Sequence, residues 1–93
     1  METKYTPGPW DKTLRGSRYR IYALHGNKSI AYTTSGIPEN ARLIAAAPKL
    51  LEACQETIKA VRGYERRTGS KQLVPFVRMV EEAVAEALGK GGD

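Results

Sequence analysis

The stretch SRYRIYALHGNKSIAYTT, residues Ser17–Thr34, decides the fold of this chain. Both of its ends are rich in β-branched and aromatic residues, which favour extended strands. The Gly26-Asn27 pair between them is typical of a hairpin turn. We therefore predict two antiparallel strands, Ser17–Leu24 and Ser29–Thr34, joined by a tight turn.

A lone hairpin is only marginally stable in water, so the rest of the chain must cover it. Upstream, Trp10–Leu14 is a candidate for a short third strand. Downstream, residues 39–93 are rich in Ala, Leu, Glu, Lys and Arg, which favour helices. Pro48 interrupts this region, because inside a continuous helix it would remove a hydrogen-bond donor and clash with the preceding turn. We therefore predict a short helix from Glu39 to about Ala46.

Two longer helices follow, from Pro48 to about Arg67 and from about Leu73 to Leu88, and each carries an apolar stripe. The fold class is thus α+β, with a small antiparallel sheet of two or three strands before the helices. We expect residues 1–93 to form a single domain, with the sheet part at 10–34, the helical part at 39–88 and a disordered tail at 89–93. So small a sheet covers only part of both apolar stripes, which predicts a homo-oligomer.

Composition excludes several classes of protein. The chain has a net charge of +5 and 41% hydrophobic residues, and it lacks the run of ~20 apolar residues that a membrane helix needs. Its first 25 residues lack the apolar core of a secretory signal, so we expect a cytoplasmic location and no membrane partner. A single cysteine, Cys54, and a single histidine, His25, are too few for the usual zinc sites, so we expect no metal.

The search for catalytic residues yields no strong candidate. Cys54 lies on the apolar stripe of the second helix, where a buried structural thiol is expected. The glutamates of the last helix, Glu81, Glu82 and Glu86, are expected on its solvent side rather than in a catalytic carboxylate pair. The sequence contains no glycine-rich phosphate loop. We therefore expect a protein that is not an enzyme and that needs no cofactor.

The second helix carries a basic cluster, which we call the helix cluster. Its members share one helix face or border it: Lys59, Arg62, Arg66, Arg67 and Tyr64. Arginine offers a planar fork that binds phosphate through two hydrogen bonds. Since exposed arginines contribute little to folding, replacing Arg62 or Arg66 is expected to remove binding and to leave the melting temperature nearly unchanged. The alternative is a helix surface whose charges only keep the protein in solution.

A second basic cluster consists of Arg15, Arg18 and Arg20. Arg18 and Arg20 lie in the first strand of the hairpin, and Arg15 lies just before it. Alternation along that strand puts Tyr22 on the face of Arg18 and Arg20, and puts Tyr19 on the other face. Basic residues interleaved with aromatic ones suit a ligand whose base stacks while its phosphate is held. The alternative is a pair of tyrosines that only pack within the sheet.

Two strings in the chain point to one group of proteins. TPGPW lies at Thr6–Trp10 and ENARLIAAAPKLLEA at Glu39–Ala53, and the element between them appears as Gly26, Ile30 and Ala31. In this combination the chain resembles a widespread class of small bacteriophage proteins, over most of residues 6–53. Residues 54–93 match no pattern of that class. The resemblance implies a phage or prophage origin, and hence action in an infected bacterial cell.

The layout also resembles that of the Thoeris anti-defence sponge family of phage proteins, in which a small antiparallel sheet and helices assemble into oligomers. Those proteins sequester cyclic-ADP-ribose-type or cyclic-oligonucleotide immune signals without cleaving them. The resemblance implies a pocket at a subunit interface, with arginine for phosphate, an aromatic side chain for the base and asparagine for polar contacts. The candidate ligand-binding positions are Asn40, Arg42, Arg62, Arg66, Arg67, Tyr19, Tyr22 and Tyr64. The chain is shorter than that family's layout leads us to expect.

The sequence therefore predicts a phage-encoded anti-defence protein that self-associates and sequesters a cyclic nucleotide or ADP-ribose-type signal. One alternative is a phage inhibitor that binds a host defence complex, as anti-CRISPR proteins do. Another is a basic nucleic-acid-binding module, which the net charge of residues 1–38 favours but for which no helix-turn-helix pattern is found.

Overall fold

The computed structural model describes residues 5–89, and in this range three strands are followed by three helices. The strands are β1 (Trp10–Arg15), β2 (Arg18–Ala23) and β3 (Ser29–Tyr32), and the helices are α1 (Pro38–Ala45), α2 (Ala47–Thr68) and α3 (Val74–Ala87). The α+β class is confirmed, and the candidate third strand is present. The sequence predicts a disordered tail at 89–93, and residues 90–93 of it lie outside the described residues.

The chain divides into two compact units, Met1–Leu50 and Leu51–Asp93. The described part of the first unit contains the whole sheet, α1 and the first turn of α2. The described part of the second contains the remainder of α2 and all of α3. The single domain expected from chain length stays a prediction.

The sheet is an antiparallel meander in the order β1-β2-β3. Its β1–β2 register runs from Trp10 opposite Ala23 to Arg15 opposite Arg18. Gly16 bears the positive φ of 63° that lets a two-residue turn join these strands. In the β2–β3 connection, the positive φ values fall on Gly26 and Asn27, the residue pair that predicted this turn.

The core of the first unit lies between the sheet and α1, which packs on β1 and β2. Ile21, Ala23 and Ala41 are each at most 2% exposed. Ile21 and Ala23 alternate along β2, so they share the face that the sequence assigned to them. The opposite face of the sheet therefore carries Arg18, Arg20 and Tyr22.

The break between α1 and α2 lies within one residue of the predicted place. Ala46 separates the helices, and α2 begins at Ala47 with Pro48 in its first turn, where the missing N–H has no helical partner to lose. Backbone bonds continue across the break, because Ala46 donates to Arg42 and Leu50 donates to Ala46. Backbone hydrogen bonding therefore continues from α1 into α2, although the two helices are separate elements.

The second unit is built from two helices joined at Gly69, whose φ is 73°. Val77 of α3 is 1% exposed and is the buried apolar residue of this unit's described part. Glu81, which the sequence placed on the solvent side of α3, is instead half-buried and ion-paired to α2. On the predicted apolar stripe of α2, Cys54 and Ile58 are half-buried, so the Cys54 thiol is less buried than the sequence predicts.

Candidate functional site

The first unit contains a cleft of about 320 Å³ where the start of β1 meets the end of α1 and the start of α2. Its lining residues are Pro9–Lys12 before and within β1, Arg42, Ala45 and Ala46 at the end of α1, and Pro48 and Lys49 of α2. We call it the Trp10 cleft. Almost all of its residues belong to the two strings TPGPW and ENARLIAAAPKLLEA, so two distant segments of sequence form one site.

Gly8 and Pro48 hold the two strings against each other. A Cβ atom on Gly8 would lie 2.7 Å from Cβ and 3.1 Å from Cγ of Pro48. The proline ring is rigid and cannot rotate away, so the approach requires a residue without a side chain. The close contact between the two strings beside the Trp10 cleft therefore depends on the glycine of TPGPW.

Trp10 forms an aromatic wall of the cleft, and its orientation is fixed. Its indole Nε1–H donates a hydrogen bond of 3.1 Å to the carbonyl oxygen of Thr6, within the same string. Since the polar edge of the half-buried indole is satisfied in this way, the ring does not need water there. A planar ligand that enters the cleft meets a ring that is already in place.

Three cationic side chains line the cleft against a single carboxylate, that of Asp11. Lys12 pairs with Asp11 and Arg42 with Glu39, both at 4.0 Å and with all four side chains substantially exposed. Exposed pairs at this distance contribute little, so they leave the cations available to a ligand. Lys49 forms no ion pair within residues 5–89. The cleft is therefore suited to an anion that carries an aromatic or planar group.

The predicted site residues of the first unit are not all in one place. Arg42 lines the Trp10 cleft, whereas Asn40 is an exposed residue of α1 outside it. Tyr19 and Tyr22 lie on opposite faces of the sheet, as alternation predicted. They therefore cannot share one stacked base.

In the second unit, Arg62 of the helix cluster is held by two carboxylates. Its guanidinium donates to both oxygens of Glu81 at 2.8 Å and to Oε1 of Glu65 at 2.8 Å. The hydrogen bonds to Glu81 first, and to Glu65 second, raise the pKa of Arg62 above its usual value. Glu65 is 8% exposed, and its Oε2 has no hydrogen-bond partner in the structure. Arg62 therefore balances a buried carboxylate, and few of its donors remain for a phosphate.

The other members of the helix cluster have different surroundings. Arg66 lines a hollow of about 200 Å³ with Arg62, Glu65 and Lys71. Lys59 pairs with Glu56 at 3.2 Å on the helix surface. Arg67 and Tyr64 are exposed. Of this cluster, Arg66 is thus the arginine that lines a concave surface and makes no ion pair with a described carboxylate.

Reasoning from the sequence missed Trp10, Lys12 and Lys49 as ligand-binding candidates. In the sequence Trp10 is only the first residue of the candidate third strand and the last of TPGPW, and the two lysines contribute only to the net charge. The signal that would have identified them is their position, because Trp10 and Lys49 lie inside the two strings and Lys12 follows the first by two residues. Only the contact of the strings in space makes that position informative.

Within residues 5–89, no group of three or more His, Cys, Asp or Glu side chains is placed to hold a metal ion. In the same range, none of the helices combines the length and the apolar character that crossing a bilayer requires.

Comparison with known proteins gives one match. A family model described as Salmonella phage P22 protein Y8K6 matches residues 1–91, nearly the whole chain. Neither the search of curated proteins nor the search of solved structures found a match.

Proposed function

Because the chain belongs to the family of Salmonella phage P22 protein Y8K6, we propose that it is a phage anti-defence protein that binds a cyclic nucleotide or ADP-ribose-type signal and sequesters it without cleaving it. The site of binding is the Trp10 cleft. The family supports the phage origin, and the composition of the cleft supports the class of ligand.

The proposal rests on one observation: the Trp10 indole and three cationic side chains line the same cleft. Lys12, Arg42 and Lys49 surround the cleft, and Trp10 forms its aromatic wall. A nucleotide presents the complementary set, because its base stacks on an aromatic ring while its phosphate accepts charge-assisted hydrogen bonds. A ligand with only one of these two groups would leave half of the cleft unused.

The volume of the cleft limits how much of a ligand it holds. Pockets for small molecules measure about 300–1,000 Å³, and the Trp10 cleft is at the lower end of this range with about 320 Å³. It therefore accommodates one nucleotide moiety. The second half of a cyclic ligand needs another wall, which a second copy of the chain supplies in the proposed oligomer.

A thermal-shift screen against cyclic dinucleotides, cyclic trinucleotides and cyclic ADP-ribose isomers tests the function. A ligand at 100 times its dissociation constant stabilises the native state by about 2.7 kcal/mol, which raises the melting temperature of a domain this small by roughly 10 °C. Chromatography of the ligand released by heating is expected to recover it intact. No shift with any member of the panel contradicts the proposal, and a cleaved product contradicts sequestration.

Single-charge variants locate the site. Arg42→Gln and Lys49→Gln should each weaken binding about tenfold or more, because a hydrogen bond to a charged group contributes about 1.5–3 kcal/mol. Both residues are exposed, so the melting temperature of the free protein should not change. Arg78→Gln on α3 removes the same charge from an exposed position and should bind like the parent. Loss of binding in Arg66→Gln instead would place the ligand in the helix cluster.

One observation favours the second candidate function, inhibition of a host defence protein. Phe76 and Met79 of α3 are 66% and 68% exposed, and they are three residues apart on one helix face. Exposed apolar groups of this kind often mark protein contacts. An inhibitor would retain a host protein on affinity purification from bacteria, whereas a sequestering protein would release a small nucleotide on heating.

A further inference from the structure

The sheet of the first unit has a second surface with a distinct composition, on the face opposite to the α1 core. We call it the arginine–tyrosine face, and its basic and aromatic members are Arg15, Arg18, Arg20, Tyr22 and Tyr32. Asp11 and Thr13 of β1 register with Tyr22 and Arg20, so one carboxylate lies at the Tyr22 end of this face. Trp10 and Lys12 of the cleft register with Ala23 and Ile21, so they lie on the core face. The cations and the indole of the cleft therefore lie on the sheet face opposite to the arginine–tyrosine face, and Asp11 borders both surfaces.

Four of these side chains form a continuous strip across β2 and β3. Arg18 lies over the ring of Tyr32 with 4.6 Å between its Cζ and the ring centroid, and Arg20 lies over Tyr22 at 4.9 Å. Arg20 and Tyr32 are direct cross-strand partners, which joins the two stacked pairs. Nucleobases stack on tyrosine rings and on guanidinium planes, so the strip offers them a flat platform.

Arg20 has a structural part in this platform. Its guanidinium donates to Ser29 Oγ at 2.7 Å, to Asn27 Oδ1 at 3.1 Å and to the carbonyl oxygen of Asn27 at 2.8 Å. These bonds fix the β2–β3 turn and hold Arg20 over Tyr22. Arg20 is therefore held over Tyr22 by contacts within the chain, without any ligand.

Arg15 and Arg18 face each other directly across the first hairpin, beside its two-residue turn. Like charges in direct cross-strand positions destabilise a sheet. Both side chains are exposed, and neither has a carboxylate partner within residues 5–89. A phosphate placed between them relieves this repulsion and receives two guanidinium forks.

We propose that the arginine–tyrosine face binds single-stranded nucleic acid, with a phosphate between Arg15 and Arg18 and two neighbouring bases stacked along Tyr32 and Tyr22. A single strand is favoured over a duplex because its bases are free to leave their own stack and lie on the side chains. The binding is tolerant of sequence, since every base has a face to stack. This site is independent of the Trp10 cleft and of its nucleotide.

Fluorescence anisotropy with a fluorescein-labelled deoxythymidine oligonucleotide of about ten residues tests the proposal, because this length covers a typical single-strand site. Tyr32→Leu should weaken binding about 5- to 150-fold, the range found when one stacked base loses its aromatic partner. Tyr32→Phe should bind like the parent. Arg18→Gln should lower the slope of log affinity against log salt by about 0.7, the value for one phosphate of a single strand.

Arg78→Gln is the matched control, because it removes one exposed charge from α3. It should retain parental affinity. Melting curves of every variant establish that the fold is kept, and Arg18→Gln remains a valid test if Tyr32→Leu lowers stability. The proposal is overturned if a duplex of equal length binds as tightly as the single strand. It is also overturned if Arg78→Gln weakens binding as much as Arg18→Gln does.

Discussion

At the scale of single residues, close packing in the first unit requires that Gly8 has no side chain. Its Cα hydrogen faces the ring of Pro48, and a Cβ atom there would lie 2.7 Å from a ring carbon. Gly8→Ala should therefore destabilise the protein by about 1–3 kcal/mol, the usual cost of overpacking. Urea unfolding measures the loss, and nucleotide affinity should fall with it because the Trp10 cleft is displaced.

A second glycine provides the matched control for this prediction. Gly63 lies inside α2, and a Cβ atom there would meet only the end of the Arg66 side chain, at 3.9 Å. Gly63→Ala should stabilise the protein by about 0.5–1 kcal/mol, because alanine loses less backbone entropy in a helix. Equal destabilisation by both substitutions would contradict the proposed role of the Gly8–Pro48 contact.

Thr33 has a buried side chain that makes two hydrogen bonds to the backbone. It is 7% exposed, and its hydroxyl accepts a hydrogen bond from Tyr19 N–H and donates one to the carbonyl oxygen of Ser35. Thr33→Val keeps the shape but leaves both backbone groups without this partner, so it should cost about 1–3 kcal/mol in unfolding free energy. Thr34→Val, at the exposed neighbouring position, should change stability far less. Similar losses in the two variants would refute the assignment.

At the scale of elements, the link between α2 and α3 is the ion pair of Arg62 and Glu81. Arg62 also balances Glu65, which is nearly buried and keeps one oxygen unsatisfied. Removing one partner of such a group leaves an uncompensated charge. From the sequence, replacing Arg62 is expected to leave the melting temperature nearly unchanged, as for other exposed arginines. The ion pairs with Glu65 and Glu81 argue against that expectation.

Thermal melts test this role. Arg62→Ala should lower the melting temperature more than Arg66→Ala, which removes the same charge without breaking an ion pair to a described carboxylate. Adding Glu65→Leu to Arg62→Ala should recover part of the loss, because the unpaired buried carboxylate is then gone. Equal melting temperatures for Arg62→Ala and Arg66→Ala would show that the pair contributes nothing.

Local sequence patterns predicted the elements well, because the decisive interactions are short in range. The Gly26-Asn27 turn, the alternation of Ile21 and Ala23, and the effect of Pro48 each involve residues close in the chain. Element ends differ by a residue or two, as at Pro38, where α1 begins one residue before the predicted start. Helix ends vary on this scale because the terminal turn lacks half of its hydrogen bonds.

At the scale of the whole molecule, the exposed apolar side chains of α3 bear on self-association. Phe76 and Met79 are largely exposed and Leu73 is 38% exposed, so three apolar residues follow one side of the helix. We expect the protein to be an oligomer at micromolar concentration, because burying this face against a second copy removes it from water. Size-exclusion chromatography with light scattering measures the mass.

A double variant connects the oligomer to this face. Phe76→Ser with Met79→Ser should shift the protein towards a monomer and leave the monomer folded, since neither side chain is buried within the chain. Arg78→Ser, on a different side of α3, should keep the parental mass. A monomeric parent protein would contradict self-association and with it the pocket shared between copies.

The sequence by itself determined the fold class, the Gly26-Asn27 turn, the helix break and the resemblance to small phage proteins. Each of these depends on neighbouring residues or on strings that can be read directly. The tertiary structure alone decided which residues share a site. It joined Trp10 to Arg42 and Lys49 across the Gly8–Pro48 contact, tied Arg62 to Glu81, and set Arg20 opposite Tyr32. The physical reason is that charge, stacking and close packing act through space over a few ångströms, and the chain separation of these residues carries no information about those distances.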